Sequence, residues 1–372
     1  MLGGLMVVVG FIAILMIHEG GHLIAAKSLG MKATKYFLGF GPTLWSFHRG
    51  ETEYGIKAIP AGGYVRIIGM NSLEEVAPED EDRSYRAQVF WKKSVVVMAG
   101  VATHFVIAFI LLWVANVVIG SPDLNQPQLV VAQVLQETDD GSVTPAVMAG
   151  IEIDDRIIGV DGISVATWDE LTFLLKKRPD QMVTLQVKRN EDILHLNATL
   201  ASRTNADTGE YQGYLGVAPK LKKTRDNPIL GIATAAGDVV FYTRQSAVGL
   251  WQFITNFNNL IKAIFGNDEV LDEVRPVSVI GITRFGAATQ RFGFNVTLSL
   301  IASISIFVGI VNAIPLYPFD GGHFAAALYE KLTGRKPDMS KMVPVGAVVF
   351  FLIALVGVLG IYFDIVRPMD LG

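Results

Sequence analysis

Four stretches of the chain are almost continuously apolar: residues near 2–26, 94–119, 296–314 and 343–363. Each supplies about the 20 residues an α-helix needs to cross a bilayer, so the pattern predicts four transmembrane helices. Between the first two the period changes. Residues 31–70 carry short alternating runs, EYGIKAI and YVRII, on either side of PAGG, with many glycines and aromatics. That pattern predicts a β-hairpin segment. It is apolar for a loop and follows the first span directly, so it is expected to dip back to membrane depth, which irregular backbone tolerates only where protein shields it from lipid. Residues 71–86, NSLEEVAPEDEDRSYR, read as an acidic, solvated loop.

The long stretch between the second and third spans has soluble character. LVVAQVL (129–135) predicts a strand, and TPAVMAGIEIDDRIIGVDGISVATWDELTFLLKK (144–177) a short helix, the strand RIIGV, a DG turn into ISV, and a helix capped near Thr167. Residues 184–200 predict two strands around a tight turn. Together these form one compact α+β module, placed at 125–205. Within the connecting segment 206–295, residues 228–265 place Phe253, Ile254, Phe257, Leu260, Ile261 and Ile264 on one helical face. Such a helix suits a membrane surface, the spans or the module equally well.

Composition agrees with a membrane protein. Of 372 residues 51% are hydrophobic and only 18% charged, and the mean hydropathy is +0.41, too apolar for an ordinary soluble chain of this length. A net charge of -4 gives no reason to expect a nucleic-acid partner. With no cysteine, disulfides and thiolate metal sites are excluded, so any metal must rest on His, Asp or Glu. The first span lacks the basic start and small-residue cleavage site of a secretory signal and reads as a retained helix, 1–30. Lys27, Lys32, Lys35, Arg83, Arg86, Lys92 and Lys93 lie between spans one and two, and Lys331, Arg335, Lys336 and Lys341 between spans three and four. The positive-inside bias therefore puts 31–93 and the third loop in the cytoplasm and 120–295 outside.

Ionisable residues inside a span are expensive and usually functional. In IAILMIHEGGHLIAA (12–26), His18 and His22 are four residues apart and emerge from one helical face, with Glu19 one step round. This is H-E-x-x-H, in which two imidazoles bind zinc and the glutamate serves as general base. A catalytic zinc normally needs a third protein ligand. His48, His104, His195 and His323 are candidates, but the end of span three is more informative. VNAIPLYPFDGGH (311–323) runs an apolar segment into Asn312, Pro315, Pro318 and Asp320-Gly321-Gly322. The prolines break the helix at membrane depth, where broken backbone must line a cavity or lie within protein. Asp320 there could be the third ligand, or simply a helix N-cap.

HEGGH in the first span, NAIPLYPFDGG in the segment 296–322, and a module of TPAVMAGIEIDDRIIGVDGISV type between them resemble the bacterial site-2 proteases, the intramembrane zinc metalloproteases, in their actinobacterial form with a single PDZ domain. GFGPTLW (39–45), IKAIPAGGYVRIIGM (56–70) and PVSVIGI (276–282) resemble that family's segments in the same order, so the similarity covers nearly the whole chain. The resemblance implies a polytopic α-helical membrane protein of about four transmembrane helices, the last at 343–366, with a membrane-associated β-hairpin and an extracytoplasmic PDZ-like domain of α+β type. It implies Zn2+ held by His18, His22 and Asp320, with Glu19 as catalytic base. Asn312 and Pro315 would help hold substrate, as would the hairpin near Gly62 and Gly63, by strand addition.

The implied substrate is a single-span membrane protein in the bilayer of a bacterial inner membrane. An anti-sigma factor is the first expectation and a signal-peptide remnant the second, cut after an upstream site-1-type protease. There are departures. The family's AGP-x-x-N in the second span reads AGVATH here, with Val101 and His104 replacing proline and asparagine, and the PDZ turn reads IDD at 153–155. A catalytically idle PDZ scaffold and a metal or proton transporter are the alternative readings. If the first helix starts at Leu2, His18 lies about 24 Å along it at 1.5 Å per residue, nearer the cytoplasmic face.

Overall fold

The computed structural model describes residues 2–71, 74–138, 141–204, 209–257, 275–289 and 293–367. The chain divides into two units, one formed by Met1–Ile119 with Asp226–Leu371 and the other by Gly120–Arg225.

The first unit opens with α1 (Leu2–Ser28), followed by β1 (Ala33–Arg49) and β2 (Thr52–Ile67). These two strands are long enough to fold back on themselves. Residues 35–38 face both 53–56 and 63–66, while 43–49 face 52–57. Across the sheet the segments therefore run 43–49, 52–57, 33–38, 63–67, which leaves 63–67 as an outer edge. Phe40, Leu44, Trp45, Phe47, Ile56 and Ile59 are exposed on this hairpin. Such a surface would be a liability in water and suits an apolar surrounding.

Of the solvated loop expected at 71–86, the described residues 74–86 differ from expectation. They contain two 3-10 turns, Pro78–Arg83 and Tyr85–Ala87, tied down by Lys32–Asp80 at 2.5 Å, Arg66–Glu74 at 2.6 Å and Arg86–Glu81 at 2.6 Å. The Tyr85 amide donates to the Ile68 carbonyl, and the Tyr85 side chain is buried. The acidic run is ordered because basic residues of its own unit neutralise it. Next comes α2 (Phe90–Trp113), continued by a π-helical turn at Val114–Ile119. It starts at Phe90, earlier than the expected 94.

The second unit contains β3 (Ser121–Val134), α3 (Pro145–Met148), β4 (Arg156–Val160), β5 (Ile163–Ser164), α4 (Trp168–Lys176), β6 (Met182–Arg189), β7 (Asp192–Thr199), β8 (Ala201–Thr204), β9 (Tyr211–Tyr214) and β10 (Val217–Thr224). The main sheet runs β10-β3-β4-β6-β7, with β5 beside β4. RIIGV forms β4, and Thr167 caps α4 in a full capping box with Glu170. Leu171, Leu185, Val131 and Ile157 are fully buried in its core. The unit is longer at both ends than the 125–205 expected, because β10 returns to pair with β3. Residues 206–295 are thus not one connecting segment.

The first unit resumes with α5 (Pro228–Thr255), α6 (Val279–Thr289), α7 (Phe294–Asn312), α8 (Asp320–Thr333) and α9 (Met339–Val366). Asn227 caps α5 by accepting from the Ile229 amide. Of the amphipathic face expected over 228–265, residues 258–265 lie outside the described residues. Phe241, Trp251 and Ile254 are exposed on α5. Near the chain's end, Asp364 of α9 is buried and accepts from the Ser278 and Gly281 amides, the Ser278 hydroxyl and Arg275, pinning α9 to the start of α6. Among the described residues four helices are long and apolar enough to cross a membrane: Leu2–Ser28, Phe90–Ile119, Phe294–Asn312 and Met342–Val366.

Candidate active site

Three helices bring the expected ionisable residues together. His18 and His22 share one face of α1, and both are buried, at 6% and 3% exposure. Asp320 enters from the first residue of α8. Between α7 and α8, residues 313–319 turn through Pro315 and Pro318, so the helix stops at Asn312 and restarts at the aspartate. The restart is tight. A Cβ on Gly321 would collide with the Ala313 and Ile314 carbonyl oxygens, and one on Gly322 would come within 2.7 Å of the Leu316 carbonyl carbon. The two glycines let α8 fold back far enough to deliver Asp320. Lys93 then anchors α8 to α2, its Nζ 2.7 Å from Glu330 Oε2.

The donor atoms form a nearly equilateral triangle. His18 Nε2 and His22 Nε2 are 3.3 Å apart, and Asp320 Oδ2 lies 3.3 Å from the first and 3.2 Å from the second. Donors held 2.0–2.1 Å from a zinc ion at tetrahedral corners stand about 3.3–3.4 Å from one another, so the triangle matches three corners of such a shell. No other group of three such side chains meets this way among the described residues. Asp320 Oδ2 is buried without a hydrogen-bond partner there, an arrangement expensive for a carboxylate unless a cation completes it.

The supporting contacts were not legible as side-chain motifs. His22 Nδ1 is 2.8 Å from the Val96 carbonyl oxygen of α2. A carbonyl only accepts, so Nδ1 carries the hydrogen and Nε2 keeps its lone pair for an ion, a tautomer that metal-binding histidines need. α2 comes this close because residue 100 is glycine: a Cβ there would fall on His22 Nε2 and within 2.9 Å of His18 Cε1. The only sequence signal was a small residue in AGVATH. Glu19, beside the triangle, accepts the Val65 amide of β2 through Oε2 at 3.0 Å. Tyr36 donates from its hydroxyl to the Met16 carbonyl at 2.6 Å. The hairpin is thus fastened to α1 at the glutamate itself and about one turn before it.

Gly63 lies in this same contact, where a Cβ would stand 2.9 Å from Met16 Sδ and 3.4 Å from Glu19 Cγ. Gly62 sits beside Phe40. A cleft of about 880 Å³ runs along the outer edge of β2, lined by Tyr64, Val65, Arg66 and Ile67 and by Tyr317 and His323. Asn312 is half-buried at the end of α7 and makes no hydrogen bond to the triangle among the described residues. Pro315 is exposed and lines a separate cavity of about 410 Å³ with Leu316, Tyr317 and Met342.

A family model for Peptidase family M50 matches residues 6–356. The zinc metalloprotease Rip1 of Mycolicibacterium smegmatis is 33% identical over the whole of both chains. Rip1 of Mycobacterium tuberculosis is 31% identical over 95% of each. With its paired histidines, carboxylates and full-length match, this chain belongs to peptidase family M50.

Proposed function

We propose that this chain is an intramembrane zinc metalloendopeptidase that hydrolyses peptide bonds inside the transmembrane segments of single-span membrane proteins. The observation that carries it is the His18–His22–Asp320 triangle, with Glu19 beside it, built from helices apolar enough to span a bilayer. Zinc held there supplies Lewis acidity that activates water and polarises a peptide carbonyl. The protein's own residues do the rest. His22, oriented by Val96, and His18 present their Nε2 atoms, and Asp320 adds the charge that offsets the ion. Glu19 takes the proton from the attacking water and passes it to the leaving amine.

A transmembrane helix hides its peptide bonds, so part of the substrate must unwind. Apart from the Val65 amide, which Glu19 accepts, the outer edge at 63–67 offers backbone groups to an extended strand, and Gly62 and Gly63 let that edge start close against Phe40 and α1. On motif grounds Asn312 and Pro315 contribute to the same substrate contact. The basic loops support a cytoplasmic side for 31–93 in a bacterial inner membrane, with the 120–225 unit, read as PDZ-like from its TPAVMAGIEIDD stretch, outside. Anti-sigma factors are the substrates this arrangement suits best, with signal-peptide remnants second. The outer domain passes only chains already trimmed by a site-1-type protease.

Purified protein supplied with zinc should cut a single-span reporter, and Glu19→Gln should abolish cutting while zinc content stays at the parental level. A Glu19→Gln variant that cuts normally overturns the assignment of the base. Removing 121–224 should increase cleavage of an untrimmed substrate; unchanged or reduced cleavage contradicts the size filter.

A further inference from the structure

The cleft beside β2 is lined from two parts of the chain. One contribution is the outer edge, Tyr64 to Ile67, with residues that follow it up to 75. Apart from that run, the lining among the described residues is Tyr317 and His323. Both belong to the segment that delivers Asp320. Tyr317 lies in the turn before α8, and His323 stands one turn along α8 from the aspartate, on the same helical face. Their rings meet edge-on, with centroids 4.7 Å apart and planes inclined at 63°. The Tyr317 hydroxyl oxygen is 3.4 Å from His323 Nδ1.

The hydrogens of this pair can be counted. A neutral imidazole carries one N–H and a phenol one O–H. The pair therefore owns two hydrogens, and only one of them can lie between the hydroxyl oxygen and Nδ1. Whichever group supplies it, the other hydrogen is left over. A phenol is the better donor and an imidazole nitrogen the better acceptor, so the hydroxyl fills the gap and the ring hydrogen sits on Nε2. Among the described residues Nε2 meets no protein partner.

A strand laid on the β2 edge needs such a donor. In a ladder, alternate residues turn their N–H and C=O groups to the neighbouring strand, and the residues between turn theirs away. Water would meet the outward set at a surface. At membrane depth unmet backbone groups are costly, so the side of the cleft away from β2 has to supply partners.

We propose that His323 grips the substrate by its backbone: Nε2–H donates to an outward-facing carbonyl oxygen of the strand paired with β2, and Tyr317 sets the tautomer that aims it. The unwound chain is then held from both sides, on the same edge where Glu19 accepts the Val65 amide. His323 binds substrate and is not a metal ligand. This rests on the protease reading and the strand addition proposed above.

The test is steady-state cleavage of a single-span reporter by the purified full-length protein supplied with zinc, with the zinc content of each variant measured alongside. His323→Phe keeps a ring against Tyr317 and has no N–H. It should raise KM about 3–10-fold, the range for one neutral hydrogen bond, with kcat within about twofold and zinc at the parental level. His323→Gln restores a side-chain N–H and should bring KM back to within about twofold of the parent. Tyr317→Phe, which frees the tautomer, should fall between the two. Parental KM in a folded His323→Phe overturns the proposal, as does a glutamine variant no better than the phenylalanine one. Loss of zinc in His323→Phe also overturns it, since the residue would then be a support of the metal site. If His323→Phe does not fold, parental KM in Tyr317→Phe overturns the proposal instead. A parent that does not cut the reporter at all is a different failure, that of the protease reading itself.

Discussion

In the 120–225 unit Asp155 is as buried as a core leucine, at 1% exposure, yet both of its oxygens are met. Arg189 donates to each at 2.8 Å, and the Glu152 amide adds a third bond at 2.8 Å. Thr144, also fully buried, donates to the Leu135 carbonyl. Among the described residues, no buried side-chain nitrogen or oxygen in that unit lacks a partner. The helical unit behaves differently. Tyr85, Asn295 and Thr297 each leave one such atom unmet, and His18 Nδ1, His104 Nε2 and Asp320 Oδ2 do so around a single point. Folded proteins satisfy buried polar groups almost without exception, so a convergence of unmet ones marks a place shaped for something beyond the chain. One unit spends its buried polar groups on its own stability, and the other leaves Asp320 Oδ2, inside the histidine triangle, for an ion to meet.

That contrast can be broken from either side. The largest effect is expected at the triangle, where His22→Ala should remove both zinc and all detectable cleavage, as metal analysis and a reporter assay would show. Gly100→Ala should come close. A methyl on α2 would occupy the space of the His22 ring, so cleavage should fall at least tenfold with a parallel loss of zinc affinity, in the range seen when support around a metal site is disturbed. Full zinc affinity in Gly100→Ala would show that α2 can shift at no cost. The matching change in the other unit is Leu185→Ala, which deletes a fully buried side chain. It should cost about 2–5 kcal/mol locally, seen as lost hydrogen-exchange protection over 182–199, while zinc content is unchanged.

Val65→Pro is a finer probe. It removes the amide hydrogen that Glu19 accepts, with some loss of valine packing, on an edge where proline is tolerated. Zinc should stay, and kcat should drop on the order of tenfold, as for a hydrogen bond to a charged group. The smallest effect belongs to the exposed Glu51–Arg83 pair, at 2.6 Å. The hydrogen-bonded Arg83 guanidinium holds the Glu51 carboxyl below its usual range. Its contribution is therefore present above the ordinary glutamate range and lost as pH falls through the lowered value. Solvent screens such pairs, so Glu51→Gln should leave the Tm near pH 7 almost unchanged.

The same contrast explains what could be read before any coordinates. In the 120–225 unit, β4 and the Thr167 cap were legible because alternation and capping are local signals. The pairing of β10 with β3 was not, since it joins residues some 90 positions apart through backbone groups that any sequence possesses. At the candidate site, His18 and His22 announced themselves by helical spacing, while the prolines before Asp320 left it open between third ligand and helix N-cap until the family resemblance chose the ligand. Their supports did not. The Val96 carbonyl and the Val65 amide are main-chain atoms, and Gly100 matters for a side chain it lacks. In the solvated loop expected at 71–86, residues 74–86 proved ordered because Glu74, Asp80 and Glu81 found basic partners on β2 and around the loop. Charge composition alone could not reveal that pairing.

The central claim is that His18, His22 and Asp320 together hold one zinc ion. Its most direct test is the zinc content of the purified chain beside that of Asp320→Ala, measured by atomic emission at matched protein concentration after dialysis against a weak chelator. The account predicts one zinc per parental chain and little or none in the variant. Equal zinc in both would contradict it.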